Sequence, residues 1–193
     1  MQRRFFLLSL LALAGCATNA PLPSGTRNYH DSLTLSGRLS VNYSQNGQPQ
    51  SLQGKFQWTQ RPDRTDIELY SPLGQTIARI AIAPGHAWLQ RSGGEIREAS
   101  SVDALTQETL GWPLPVDGLR FWLQGFTRDA NQQLRAVTPD ETAEMRSDGW
   151  RVRYVSWQGE PPGPSWPRRI DIEREGGAQP IALRIVIDDW RPK

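Results

Sequence analysis

The chain has 193 residues, with 22 lysines and arginines against 20 aspartates and glutamates, a formal net charge of +2 and a sequence pI near 9.0. A single cysteine excludes a disulfide framework, two histidines outside any ligand cluster exclude a structural zinc site, and so even a charge balance offers no net basic patch for nucleic acid. The length suits one folded domain with a substantial core.

Met1-Gln2-Arg3-Arg4 is a short positive stretch, and Phe5 to Ala14 is almost wholly apolar. That run falls short of the ~20 residues a membrane-spanning helix needs. It predicts a cleaved export signal over residues 1–15. Leu13-Ala14-Gly15-Cys16 then resembles the lipobox read by lipoprotein signal peptidase. Cys16 is therefore expected to carry an S-diacylglycerol and, after cleavage before it, an N-acyl chain, with no other cofactor. At ~0.8 kcal/mol per buried methylene, three such chains make a permanent anchor.

Cleavage would remove Arg3 and Arg4 and leave 20 basic against 20 acidic residues. Ala17 to Arg27 is rich in proline, serine, glycine and other small residues, so residues 16–28 are expected to form the acylated cysteine and a flexible tether. Eleven such residues reach roughly 35 Å when extended. Residues 29–193 follow as the single domain. In lipoproteins of Gram-negative bacteria an aspartate after the acylated cysteine favours the inner membrane. Ala17 stands there, which by that resemblance places the chain on the periplasmic face of the outer membrane.

From Leu33 the apolar period is two. Leu35, Leu39, Val41 and Tyr43 alternate with polar residues, Asn46-Gly47 marks a turn, and Leu52, Phe56 and Trp58 alternate again. This is a hairpin. Further strands are expected near Asp66–Tyr70, Gln75–Ala83, His86–Arg91 and Glu95–Glu98, the last two joined across Gly93-Gly94. The Gln75–Ala83 strand is apolar on both sides apart from Arg79, which predicts cover on both faces.

Ser100-Ser101 then offers an N-cap, and Gly111 a stop, for a helix with Val102, Leu105 and Leu110 on one side. Pro115 opens a second helix with Val116, Leu119, Trp122 and Leu123 inward, ending near Gly125. Strands return around Trp150–Tyr154, Ile170–Ile172 and Ile181–Ile187, and the stretch from Gln158 to Pro167 between them reads as a proline-rich loop. The expected fold is mainly β with some α. It is a curved, incomplete antiparallel β-barrel of about ten strands covered by two or three short helices.

No nucleophile and base pair, carboxylate pair or metal motif gives an enzyme site; Asp188-Asp189, adjacent on a strand, point to opposite faces. Two features remain. Ser71-Pro72-Leu73-Gly74 has the proline and glycine of a type I β-turn and sets Leu73 at its tip. Eight tryptophans lie among inward aliphatic positions and allow either a filled aromatic core or a large apolar cavity. The cavity reading takes its lining from the sheet at Phe56, Trp58, Leu69, Ile80, Ile82 and Trp150. The helical segment adds Leu105, Leu110, Trp112, Leu119 and Trp122.

In order along the chain, S-G-R-L-S-V at 36–41, F-Q-W at 56–58, L-Y-S-P-L-G-Q at 69–75, L-R-F-W-L-Q-G at 119–125, D-G-W-R-V-R-Y at 148–154 and I-V-I-D-D-W at 185–190 resemble the LolB family of outer-membrane lipoprotein receptors. The resemblance covers nearly all of the chain after Cys16. It implies a monomeric half-barrel with a hydrophobic cavity that accepts acylated lipoproteins from the periplasmic carrier LolA and inserts them into the inner leaflet of the outer membrane. It further implies that the 71–74 turn protrudes and that Leu73 helps deliver cargo to lipid. An alternative reading of the residues is a lipoprotein with a filled core that serves as a structural or assembly factor by protein–protein binding.

Overall fold

The computed structural model describes residues 27–129, 131–139, 145–147, 149–159, 163–174 and 180–193. The expected signal segment, Cys16 and the tether up to residue 26 lie outside the described residues.

The chain opens with β1 (Leu33–Gln45) and β2 (Gln48–Gln60), paired in register along their whole length. Asn46 and Gly47 both take positive φ, 53° and 75°. That is the turn whose twist matches a two-residue hairpin. β3 (Thr65–Tyr70), β4 (Thr76–Ala83), β5 (His86–Arg91) and β6 (Ile96–Ala99) continue as an antiparallel meander.

After the helices, β9 (Met145–Ser147), β10 (Trp150–Gln158), β11 (Trp166–Arg174) and β12 (Ile181–Pro192) form the other half. β12 pairs with β1, so the order across the ten-stranded sheet is β6-β5-β4-β3-β2-β1-β12-β11-β10-β9. The sheet is open, with β6 and β9 as its edges. At Gly37, beside a register shift between β1 and β12, a Cβ would lie 2.0 Å from the Val186 carbonyl oxygen. Only glycine lets the two strands approach so closely there.

Helix α1 (Val102–Leu110) and helix α2 (Val116–Trp122) stand where the sequence predicts them. Ser101 caps α1 by accepting from the Ala104 amide, and Gly111 ends it at φ +87°. Val116, Leu119, Trp122 and Leu123 are buried, as expected of an inward face. The core lies between these helices and the concave face of the sheet, on which Leu33, Leu35, Val41, Phe56, Trp58, Ile67, Leu69, Ile170, Ile172 and Ile187 are buried.

Three expectations are corrected. The expected ten or so strands stand in the main sheet, of which β9 is a short edge, and among the described residues β7 (Phe126–Arg128) and β8 (Leu134–Ala136) add a separate small hairpin. Strands of three residues are too short to show a period. The proline-rich loop is shorter than expected. Gln158 closes β10, Trp166 and Pro167 open β11, and a proline is tolerated at a strand's beginning.

β4 is not covered on both faces. Ala78 and Ile80 face the core, whereas on the outer side Arg79 and Ala83 are exposed and Ala81 is shielded beside Trp88 of β5, its cross-strand partner. Finally, the tether expected through residue 28 gives way to the fold by Arg27, which is buried.

Candidate functional site

Where the helical segment crosses the concave face, a cavity of about 30 Å³ remains, and every residue around it is apolar. The sheet supplies Leu39, Phe56, Trp58, Ile67, Leu69, Leu183 and Ile185, and the helical segment Trp112, Leu114, Leu119 and Leu123. The space suffices for one or two waters and not for an acyl chain. Of the expected lining, the structure brings Phe56, Trp58, Leu69, Trp112 and Leu119 together at the cavity. Ile80, Leu105, Trp122 and Trp150 are buried elsewhere in the same core, and Ile82 and Leu110 are half-buried and packed against it.

Sequence reasoning missed Leu39, Ile67, Leu183 and Ile185, although each sits on an inward alternate position. It also missed Leu123, just past the end of α2, and Leu114, which lies between Pro113 and Pro115 where no period exists.

The two helices are held differently. α2 is fastened at several points. The Arg120 guanidinium donates to Thr65 Oγ1 at 2.7 Å and to the Arg61 carbonyl at 3.1 Å, and the Tyr154 hydroxyl donates to the Trp122 carbonyl at 3.0 Å. Burial pushes the Tyr154 phenol far above its usual range, the nearby Arg27 charge opposing it, so it stays a neutral donor. α1 rests chiefly on apolar contacts through Val102 and Leu105. Its side-chain tie to the sheet is the Glu108–Arg97 ion pair, whose members are 67% and 43% exposed and therefore contribute little. Inside the segment, the Leu114 amide donates to Thr106 Oγ1 at 2.9 Å.

At the end of the sheet where the described chain begins, Arg27 donates to the carbonyls of Ser165 (2.6 Å), Gly125 (2.8 Å) and Val137. Its guanidinium lies over the rings of Phe126, Trp157 and Trp166. Burial lowers its pKa, with the Tyr154 phenol acting the other way. Trp166 stacks on Trp190 at 4.3 Å between centroids.

The β3–β4 turn is built by backbone bonds. The Gly74 amide donates to the Ser71 carbonyl at 2.9 Å, the Ser71 amide to the Gln75 carbonyl at 2.8 Å, and the Gln75 amide to Ser71 Oγ at 3.2 Å. Gly74 takes φ +87°, a conformation that favours glycine. The tip side chain, Leu73, is 90% exposed, against 56% or less for the other large exposed hydrophobics among the described residues. A rigid turn thus holds an isolated leucine in solvent.

An open antiparallel sheet roofed by two helices thus encloses a small cavity lined only by apolar side chains. Residues 31–190 match the family model described as "Outer membrane lipoprotein LolB", and the chain belongs to that family. The Outer-membrane lipoprotein LolB of Cupriavidus pinatubonensis is 41% identical, the match covering 97% of this chain and 95% of that protein. Its counterpart from Chromobacterium violaceum is 31% identical over 99% of this chain and 100% of its own. A crystal structure of a LolA superfamily protein from Nitrosomonas europaea matches over 86% of this chain and 88% of its own at a TM-score of 0.47 and 10% identity, too distant a likeness to argue from. Among the described residues no helix is long and apolar enough to cross a membrane.

Proposed function

We propose that this chain is the outer-membrane receptor that takes acylated lipoproteins from the carrier LolA and inserts them into the inner leaflet of the outer membrane. The wholly apolar lining of the cavity between sheet and helices carries this reading. A triacylated cargo has ~40 methylenes, and exposing them to water would cost on the order of 30 kcal/mol, so free diffusion is excluded and a sheltered route is required. No nucleotide motif stands in the sequence, so transfer runs downhill: the receptor binds cargo better than the carrier does and less well than the bilayer.

In this reading residues 1–15 are the cleaved signal, Cys16 is the acylated anchor on the periplasmic face, the residues up to 26 are the tether, and the domain acts as a monomer. The closed interior opens by movement of α1, the loosely fastened helix, while α2 stays on the sheet. Leu73 then meets lipid. Burying one leucine contributes only ~1.5–3 kcal/mol, enough to orient the cavity mouth but not to anchor the protein.

The test is binding of a fluorescent acyl probe to the purified protein, followed by competition. Saturable binding displaced by an acylated lipoprotein, and not by its unacylated form, is expected. A folded protein that binds no probe would show that the tryptophans merely fill a core, and the assembly-factor reading would replace this one.

A further inference from the structure

On the convex face a second pocket, of about 340 Å³, opens directly beside the 71–74 turn, with Pro72 as one wall. Its lining holds three cations, Arg38, Lys55 and Arg184, and no carboxylate. The register explains their convergence. Lys55 lies opposite Arg38 on one side and opposite Tyr70, the residue that leads into the turn, on the other. Arg38 is bonded to Asp188 through two nitrogens at 2.9 Å, yet its side chain is 61% exposed. Arg184 shares Asp171 with Arg153 and Arg169, and its side chain is 57% exposed. Lys55, an exposed ammonium, has no ion-pair partner among the described residues.

The carboxylates of Asp188 and Asp171 therefore orient the two arginines without neutralising the group, and Lys55 adds a charge that no described residue answers. The volume lies within the range of small-molecule sites. Its position decides the occupant. A leucine placed in the acyl region would leave Pro72 and the cations beside it at the depth where bilayer phosphates lie.

We infer that this pocket binds the phosphodiester of an anionic phospholipid headgroup while Leu73 enters the bilayer. The inference rests on the membrane-facing reading of the turn. It gives the turn two components, an apolar tip and a cationic seat, that together set its depth and orientation. Each cation near an anionic surface is worth about fivefold in partitioning.

The test uses the lipidated protein reconstituted in vesicles, with Gln75→Cys labelled by an environment-sensitive dye and read by lipid-nitroxide quenching. Adding phosphatidylglycerol to phosphatidylcholine vesicles is expected to raise the docked fraction of the turn. Lys55→Gln should lower the docked-to-free ratio about fivefold in the mixed vesicles and leave it unchanged in phosphatidylcholine. Arg97→Gln, which removes a cation from β6, should change neither. Equal losses from Lys55→Gln and Arg97→Gln would reduce the effect to net charge and overturn the pocket. So would insensitivity to phosphatidylglycerol, or displacement of the turn by millimolar inorganic phosphate in the mixed vesicles, which would assign the pocket to the free anion. Leu73→Glu in pure phosphatidylcholine reads the turn alone, so a failure of the membrane-facing reading would be seen there, apart from any effect at Lys55.

Discussion

Gln124 and His30 exchange a pair of hydrogen bonds: the His30 amide donates to Gln124 Oε1 at 2.9 Å, and Gln124 Nε2 donates back to the His30 carbonyl at 3.0 Å. A single buried side chain thereby stands in for a strand partner and ties the end of α2 to the segment leading into β1. Gln124→Ala leaves both backbone groups of His30 without these partners and should destabilise the protein by about 1–3 kcal/mol. Denaturant unfolding with an unchanged slope would confirm a loss of stability without a change in compactness.

Leu73→Glu should leave the melting temperature where it is, because Leu73 is 90% exposed and the turn's hydrogen bonds are made by backbone and Ser71. Cargo should accumulate on the variant without reaching lipid. Normal lipoprotein insertion by a stably produced Leu73→Glu protein would remove the turn from the mechanism.

Asp171 is the common partner of Arg153, Arg169 and Arg184 on the outer face of β10–β12. Burial raises its pKa, but the hydrogen bonds and charges of Arg169 and Arg184 outweigh burial and hold the carboxyl below the ordinary range. The folded form is thus the stronger acid, and the stability it contributes is present above an unfolded value near ~3.9 and is lost as pH falls through the folded value. Asp171→Asn should cost about 1–3 kcal/mol at pH 7 and progressively less under strong acid. Urea titrations at several pH values would measure this.

Asp103, in the first turn of α1, behaves in the opposite sense. Burial raises its pKa first, and the Asp117 carboxylate adds to this while Arg174 opposes it. The folded protein holds that proton more tightly than the unfolded chain, so stability increases as pH falls through the folded value toward the unfolded one. Asp103→Asn should stabilise the protein by about 0.5 kcal/mol at pH 7 and by nothing once both states are protonated. Thermal melts at the two pH values decide it.

Much of this architecture is written in local chemistry. The β1–β2 hairpin follows from an Asn-Gly pair between alternating runs, α1 from its serine cap and glycine stop, and the Leu73 turn from Ser-Pro-Leu-Gly. Three-residue strands such as β7 carry no readable period, and the inward role of Arg27 depends on carbonyls at 125, 137 and 165 that are remote in sequence. The cavity lining was half legible. Alternation marks Phe56 and Trp58 as inward, but which inward residues bound a void depends on how the helices cross the sheet, and that crossing is not encoded in any local pattern. The cationic seat at Arg38, Lys55 and Arg184 is likewise assembled from three strands, each unremarkable on its own.

The pairing of β1 with β12 has a consequence for how the chain comes to be folded. The first and last strands meet in the middle of the sheet, so the two halves are joined only when the final residues are available, and sequence-distant closure of this kind slows folding. Such a chain cannot finish its sheet until its C-terminal strand is in place. Loss of its last dozen residues would not trim an edge. It would cut the sheet into two separate pieces, each with a new unpaired border.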